Sequence, residues 1–283
     1  MSTVEVFDER VSHLAEGPWY DERTGRVGWV DIIGRRVLWR DLVSGEVGEM
    51  PTSEEVSAVV PRAGGGFVLL LASRPVLADP DGTLTPLDPY DDPEPGVAVR
   101  CNDAKADPAG RLWFGTMARD AKTPRGALYR LEPGSTTPVR VLSGVAISNG
   151  LGWWGDRMYY VDSPTNRIDL FTYDEATGEI GDRRTFVEVP KPDGLCVDAE
   201  GHVWVAVWGS GVVHRYTPDG RLDRELVVPT PQVTSCAFAG PDYQTLIITT
   251  GAEFGLYGTP GAGLVYVERI PDVAGRPVDR FAG

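Results

Sequence analysis

Short runs that are almost wholly apolar recur along the chain, and a polar residue precedes each of them. The clearest run covers residues 202–208 and follows Asp193-Gly194. Across the chain these polar residues, here called the lead residues, are Glu16, Ser57, Asn102, Asn149, Asp193 and Ser235. Successive lead residues lie 41, 45, 47, 44 and 42 positions apart. A period of that length, repeated about six times, is typical of β modules that are stacked or arranged around an axis.

Within each module, the apolar run is followed by runs in which apolar and polar residues alternate. Module four is the clearest, with strands predicted over residues 157–161, 167–173 and 184–189. A run that is apolar on both sides suits a strand packed between neighbours, whereas alternation suits a half-exposed strand. The pattern predicts an all-β, six-bladed β-propeller in which each apolar run is the inner strand of a four-stranded blade.

The two ends of the chain are expected to meet in one blade. Module six, with strands predicted over residues 245–250 and 263–268, is one or two strands short. Residues 4–9 alternate in the manner of a strand that stands apart from the first module. Because a propeller closes by joining its first and last blades, we expect this strand to complete the last blade. No linker interrupts the chain, so we predict one domain over residues 1–283.

Composition narrows the class of partner. The chain has 27 Lys and Arg against 41 Asp and Glu, a formal net charge of −14. This balance argues against nucleic acid and anionic membranes as partners, because both select basic surfaces. The first residues show no signal-like pattern, and no apolar run reaches about 18 residues. With the three cysteines Cys101, Cys196 and Cys236, these features lead us to expect a reduced, cytoplasmic setting.

All six lead residues carry an oxygen atom in the side chain. Equivalent positions of a propeller lie on a circle, so we expect these side chains to meet at one mouth of the central channel. Oxygen donors that include two carboxylates suit a hard or borderline divalent cation. Glu16, Asn149 and Asp193, each followed by glycine, are the predicted metal ligands. The alternative is that these residues bond their own backbone in turns.

The predicted ligand set favours hydrolytic chemistry. Three protein ligands would leave positions for water and substrate, which distinguishes a catalytic metal site from a closed structural one. His13, His202 and His214 show no ligand spacing or triad partner, and neither Gly-x-Ser-x-Gly nor a phosphate-binding glycine loop occurs. These observations leave metal-dependent hydrolysis as the predicted chemistry.

Six short motifs occur in order between about residues 14 and 250. They are Leu14-Ala15-Glu16-Gly17-Pro18, Arg100-Cys101-Asn102-Asp103, Gly115-Thr116-Met117-Ala118, Gly126-Ala127-Leu128-Tyr129, Ile147-Ser148-Asn149-Gly150-Leu151 and Pro192-Asp193-Gly194-Leu195-Cys196. As a set they resemble the regucalcin/gluconolactonase family, also called the senescence-marker-protein family. The resemblance implies a six-bladed propeller that uses one divalent metal to hydrolyse sugar lactones and, less efficiently, some organophosphate esters. It also places the family's metal ligands on Glu16, Asn149 and Asp193.

The resemblance assigns substrate contacts as well. The family's hydroxyl-binding Arg and Asn fall on Arg100 and Asn102. Family members place an acidic residue just after Gly-Thr-Met-Ala to contact the sugar. Here Arg119-Asp120 follows, so Asp120 is the expected contact and Arg119 departs from the family pattern. Residues 118–126 are a polar loop that is equally consistent with a lid over the channel mouth and with a plain exposed hairpin.

The sequence therefore predicts a hydrolase that opens sugar lactones to aldonic acids with one divalent cation, which could be Ca, Zn, Mn or Mg. Asp193 is the predicted catalytic residue, acting as proton acceptor as well as ligand. The expected partner is a small-molecule sugar lactone, and the pattern makes no prediction of the lactone, the native metal or the oligomeric state. Two alternatives remain: a metal-dependent esterase or phosphotriesterase, and a non-catalytic calcium-binding propeller.

Overall fold

The structure, a computed structural model, describes residues 4–91 and 96–283. Within these ranges the chain forms six four-stranded sheets, and every strand pair inside a sheet is antiparallel. The prediction of an all-β, six-bladed propeller is confirmed. No helix in the described ranges has the length and hydropathy needed to span a bilayer.

The strands follow one another in chain order. Strand β1 (Glu5–Asp8) precedes the first blade. Blade one contains β2 (Ala15–Asp21), β3 (Arg26–Asp31), β4 (Arg36–Asp41) and β5 (Val47–Pro51). Blade two contains β6 (Val56–Pro61), β7 (Phe67–Leu71), β8 (Pro75–Ala78) and β9 (Leu84–Pro86). Blade three contains β10 (Val99–Ala106), β11 (Leu112–Ala118), β12 (Gly126–Leu131) and β13 (Val139–Val145).

The second half of the chain repeats this plan. Blade four contains β14 (Ser148–Trp154), β15 (Arg157–Asp162), β16 (Arg167–Tyr173) and β17 (Ile180–Glu188), with a short 3₁₀ turn at Ser163–Thr165. Blade five contains β18 (Pro192–Val197), β19 (Val203–Val207), β20 (Val212–Tyr216) and β21 (Leu222–Val227). Blade six contains β22 (Val233–Ala239), β23 (Thr245–Thr250) and β24 (Val265–Arg269).

Strand β1 is the fourth strand of blade six. It pairs antiparallel with β24, with Glu5 opposite Val267 and Val6 opposite Tyr266. An N-terminal strand thus covers the outer edge of the last sheet. One domain over residues 1–283 stays a prediction, because residues 1–3 and 92–95 lie outside the described ranges.

The innermost strands are not the wholly apolar runs. The lead residues lie on β2, β6, β10, β14, β18 and β22, and neighbouring members of this set contact one another around the axis. The apolar runs form the second strands, such as β19, which pairs with β18 on one side and β20 on the other. The expectation that the apolar runs are innermost is therefore wrong. The innermost strands contain glycine and polar residues, which hide their strand pattern in the sequence.

A register irregularity interrupts each innermost strand close to its lead residue. The irregularities fall between Glu16 and Trp19, Val56 and Ala58, Cys101 and Ala104, Ser148 and Leu151, Pro192 and Leu195, and Val233 and Ser235. A bulge inserts an unpaired residue and re-aims the side chains beside it. In each innermost strand, the bulge thus changes the direction of the polar side chains beside it, so that they need not alternate between the two faces of the sheet.

The residues after β24 cover the other end of the channel. This C-terminal segment, residues 270–283, bonds the turns beyond the innermost strands: the Ala199 amide donates to Ala274 O at 2.9 Å and the Ala282 amide donates to Gly110 O at 2.9 Å. Arg276 and Asp279 line the wall of a central cavity of about 110 Å³. Because the lead residues lie at the opposite strand ends, the channel opens to solvent on their side.

A buried unit of aspartate, tryptophan and arginine supports the blade core. The Asp198 carboxylate is fully buried and accepts hydrogen bonds from Trp204 Nε1 at 2.9 Å and from Arg215 Nη2 at 2.7 Å. The Arg215 guanidinium carbon lies 5.6 Å from the centroid of the Trp204 ring, close enough for a cation–π contact. In blade three, Asp107 likewise accepts from Trp113 and Arg111, while Arg130 lies over the Trp113 ring at 5.7 Å. Buried charges of this kind are tolerated only while they stay paired.

We expect the change Asp198→Ala to lower the free energy of unfolding by about 3 kcal/mol, because it leaves the buried Arg215 guanidinium with fewer partners. Urea unfolding followed by tryptophan fluorescence measures this loss. The matched change Asp219→Ala removes an exposed carboxylate from a turn and should barely move the midpoint. Equal midpoints for the two variants would contradict a supporting role for Asp198.

Candidate metal and substrate site

The structure places all six lead residues at the N-terminal ends of the innermost strands. Asn102, Asn149 and Asp193 are buried, with 8%, 6% and 6% of their surfaces exposed, and Glu16 is half-buried. The six are not equivalent donors, since Ser57 Oγ donates into its own blade, to Leu70 O at 3.2 Å. Only some of the six lead residues therefore present oxygen atoms to the channel.

The glycines that follow the lead residues allow neighbouring innermost strands to approach closely. A Cβ atom on Gly150 would lie 2.7 Å from Asp193 O, and one on Gly194 would lie 2.1 Å from Ser235 Oγ. Both distances are shorter than a side-chain carbon tolerates. The glycines after Asn149 and Asp193 thus have a packing reason, whereas Gly17 has a positive φ of 51° that favours glycine.

A chain of hydrogen bonds connects several predicted residues across three blades. Arg100 Nη1 donates to Asn102 Oδ1 at 2.8 Å, and Asn102 Nδ2 donates to Asn149 Oδ1 at 2.8 Å. Asn149 Nδ2 donates to Ser163 Oγ at 2.7 Å, and Ser163 Oγ donates to Pro192 O at 2.6 Å, beside Asp193. This order fixes the orientation of both amides. Asn149 Oδ1 retains a second lone pair for another ligand.

Negative charge accumulates at this end of the channel. Burial raises the pKa of Asp193 well above its ordinary value, and the charges of Glu16, Asp103 and Glu253 raise it further. Burial and the Asp103 charge raise the pKa of Glu16 to about 8, against the hydrogen bond from the Gly17 amide. The carboxylates are close enough to repel one another, so a proton or a cation must compensate them.

The two predicted carboxylate ligands lack a protein cation as a direct partner. Within residues 4–91 and 96–283, neither Glu16 nor Asp193 forms an ion pair within 4.0 Å, and Glu16 Oε2 accepts only the Gly17 amide at 3.0 Å. Buried carboxylates beside an amide oxygen are the donors that hard divalent cations prefer. Glu16, Asn149 and Asp193 therefore fit a divalent cation chemically.

The sequence pattern does not indicate three charged residues that lie near the site. Asp103 follows Asn102 inside the bulge and is buried, and burial raises the pKa of its carboxyl. Lys105 donates to Leu195 O and places a positive charge below the carboxylates. Glu253 lies in the segment after β23. Asp103 could have been found from its place beside a lead residue, whereas nothing in the sequence around Glu253 indicates a site.

The structure does not bring Asp120 into this group. Asp120 is exposed, and its carboxylate accepts bonds from the Lys122 amide, the Thr123 amide and Thr123 Oγ1 at 3.0, 3.0 and 2.6 Å. These contacts hold its own turn and lower the pKa of the carboxyl. Its neighbour Arg119 instead forms an ion pair with Glu55 at 2.7 Å. Burial lowers the pKa of Arg100, and the negative charge of nearby Glu55 opposes this shift.

A second acidic cluster lies in blade five. Asp198, Glu200 and His202 offer possible ligand atoms within 4.8 Å of one another. Arg215, however, donates to Asp198 Oδ2 at 2.7 Å and to Glu200 Oε2 at 2.6 Å. A guanidinium already pairs with both carboxylates, so this cluster is a weaker cation site than the channel end.

The sequence and the fold match one family along almost the whole chain. The family described as SMP-30/Gluconolactonase/LRE-like region matches residues 14–252. Regucalcin from Gallus gallus is 36% identical over 287 residues, covering 95% of this chain and 95% of that protein. Pentonolactonase XacC from Haloferax volcanii is 36% identical over 260 residues, covering 88% of this chain and 85% of that protein.

A solved structure agrees with these sequence matches. Regucalcin from Agrobacterium tumefaciens, described as a calcium-binding protein, superposes with a TM-score of 0.92 and 30% identity, covering 100% of this chain and 98% of that one. The resemblance seen in the six motifs is confirmed. The chain belongs to the SMP-30/gluconolactonase/LRE-like family.

Proposed function

We propose that this protein hydrolyses sugar lactones to aldonic acids with one divalent cation. Membership of a family that includes a pentonolactonase supports a lactonase-like function. One observation carries the proposal for the site: the carboxylates of Glu16 and Asp193 share a crowded channel end, and no cation among the described residues is paired to either. The hydrogen-bonded residues Arg100 and Asn102 lie beside them.

Glu16, Asn149 and Asp193 are the residues that would hold the cation. Their oxygen-only donor set suits Ca, Mg, Mn or Zn without selecting among them. A bound divalent cation supplies Lewis-acid polarisation of a carbonyl oxygen. The two carboxylates would balance the charge of such an ion, and the fixed Asn149 amide supplies a neutral donor beside them.

Asp193 is the proposed proton acceptor. It is a buried carboxylate at the channel end, and a positioned carboxylate can act as a general base. In the reaction a water oxygen bonds to the lactone carbonyl carbon and the ring C–O bond breaks. Asp193 takes a proton from that water and returns it to the ring oxygen, which leaves as a hydroxyl group. The acid formed ionises at neutral pH, so turnover releases a proton.

Arg100 and Asn102 are the proposed contacts for substrate hydroxyls. Arg100 uses one guanidinium nitrogen to hold Cys101 O at 2.9 Å and Asn102 Oδ1 at 2.8 Å, and it forms no ion pair in the described ranges. Its planar set of donors therefore keeps capacity for oxygen atoms of a polyol. A contact by Asp120 stays a prediction from the resemblance, and it would require the turn that Asp120 holds to open.

Calcium binding without catalysis is the second candidate. It is favoured by the description of the Agrobacterium tumefaciens regucalcin as a calcium-binding protein and by the same crowded carboxylates. The two candidates differ in a single assay, because only the hydrolase releases acid from a lactone.

The change Asp193→Asn should lower lactonase kcat/KM by about 10²–10⁴-fold, because the amide cannot accept the proton. A pH-indicator assay on glucono-1,5-lactone, corrected for spontaneous hydrolysis, measures the rate. Asp219→Asn, which makes the same change in an exposed turn, serves as the control and should match the wild type. A rate for Asp193→Asn within about twofold of the wild type would rule out this role.

Removing divalent cations with a chelator should abolish lactonase activity and lower the Tm, because the folded state loses the stabilisation that cation binding provides. Adding back Ca, Mg, Mn or Zn should restore both quantities with at least one ion. In the Glu16→Gln variant, the Tm should respond less to the chelator. Full activity after exhaustive chelation would argue against a cation in the reaction.

A further inference from the structure

The segment between β23 and β24 brings an additional carboxylate to the open end of the channel. Gln232, which is buried, binds the backbone of Glu253 in both directions: Gln232 Nε2 donates to Glu253 O at 3.1 Å, and the Glu253 amide donates to Gln232 Oε1 at 2.8 Å. These two bonds fix the point from which the Glu253 side chain starts. The position of this side chain is thus built into blade six.

The Glu253 carboxylate lies within electrostatic range of the predicted site, and the Ala252 amide holds its segment against the residues just before Glu16 by donating to His13 O at 2.8 Å. Its charge acts on both Asp193 and Arg100, and the Arg100 charge acts in return on the pKa of Glu253, which burial raises. Within the described ranges the Glu253 side chain accepts no hydrogen bond and forms no ion pair within 4.0 Å. A half-buried carboxylate without a partner keeps its acceptor capacity for a ligand.

An aromatic surface lies beside this carboxylate. Phe254 follows Glu253 in the chain, and 86% of its surface is exposed. Its ring meets the half-buried Trp208 ring edge to face, with 6.4 Å between the centroids. A charged acceptor next to exposed rings suits a ligand that carries hydroxyl groups on a C–H framework.

We propose that Glu253 contacts the substrate, accepts hydrogen bonds from lactone hydroxyls and selects neutral polyhydroxylated lactones over lactones that also carry a free carboxylate. The inference rests on the proposed lactonase function and adds the substrate class. Four carboxylates, on Glu16, Asp103, Asp193 and Glu253, face this end of the channel. Arg100, Lys105 and one divalent cation balance them and leave no surplus positive charge for an anionic substrate.

The isosteric change Glu253→Gln tests both parts of the proposal with two substrates. For glucono-1,5-lactone, kcat/KM should fall about tenfold, mainly through KM, because an amide is a weaker acceptor than a carboxylate. For glucaro-1,4-lactone, which carries a carboxylate, kcat/KM should rise at least about threefold, because one repulsive charge is gone. A structural defect would lower both rates together, so the opposite signs identify a substrate contact.

The variant Glu253→Asp separates charge from reach. It keeps the negative charge and shortens the side chain, so discrimination against glucaro-1,4-lactone should persist while the KM for glucono-1,5-lactone rises. Glu46→Gln changes an exposed side chain in the turn between β4 and β5 and controls for net charge. It should leave both rates unchanged.

Two results would overturn the assignment, and they are distinguishable. If the wild type hydrolyses glucono-1,5-lactone but Glu253→Gln keeps the wild-type ratio of the two rates within about twofold, Glu253 is not a selectivity residue. If the wild type hydrolyses neither lactone, the proposed function itself is wrong, and the role of Glu253 falls with it. A shift of the ratio by about thirtyfold, as expected from the two changes together, would establish the role.

Discussion

Repulsion between buried carboxylates governs the chemistry of this protein. Glu16 and Asp193 come from strands far apart in the sequence, and each carboxyl has a raised pKa because burial and neighbouring negative charges disfavour ionisation. Such an arrangement costs stability unless something neutralises it. The fold holds these carboxylates at one end of a channel, where a cation can enter and compensate their charge.

The propeller provides the rigidity that the crowded site requires. Six blades of four strands pack large aromatic side chains between them, and Trp29, Trp113 and Trp204 are fully buried. Buried aspartates pair with tryptophan and arginine inside blades three and five, so these two carboxylates have hydrogen-bond partners. The C-terminal segment covers one end of the channel, which leaves the bulged ends of the innermost strands as the route to solvent.

Much of this architecture could be predicted because it depends on periodic features. The spacing of the lead residues predicted the number of blades, and strands such as Arg167–Tyr173 and Thr245–Thr250 have the predicted bounds. The innermost strands were missed because their glycines, bulges and polar residues erase the alternation that identifies a strand. Glu253 was missed because its position depends on Gln232, a contact between segments that no local pattern reveals. The predicted substrate contact Asp120 instead holds its own turn, an outcome that depends on side-chain geometry.

The site thus combines a donor set specified by the repeat with contacts that only the folded chain creates. Anomalous diffraction from a crystal of the wild-type protein grown with Mn²⁺ tests the central claim most directly. The account predicts one strong anomalous peak bounded by the oxygen atoms of Glu16, Asn149 and Asp193. A strong peak at Asp198, Glu200 and His202 with none at the channel end, or no protein-bound peak, would contradict it.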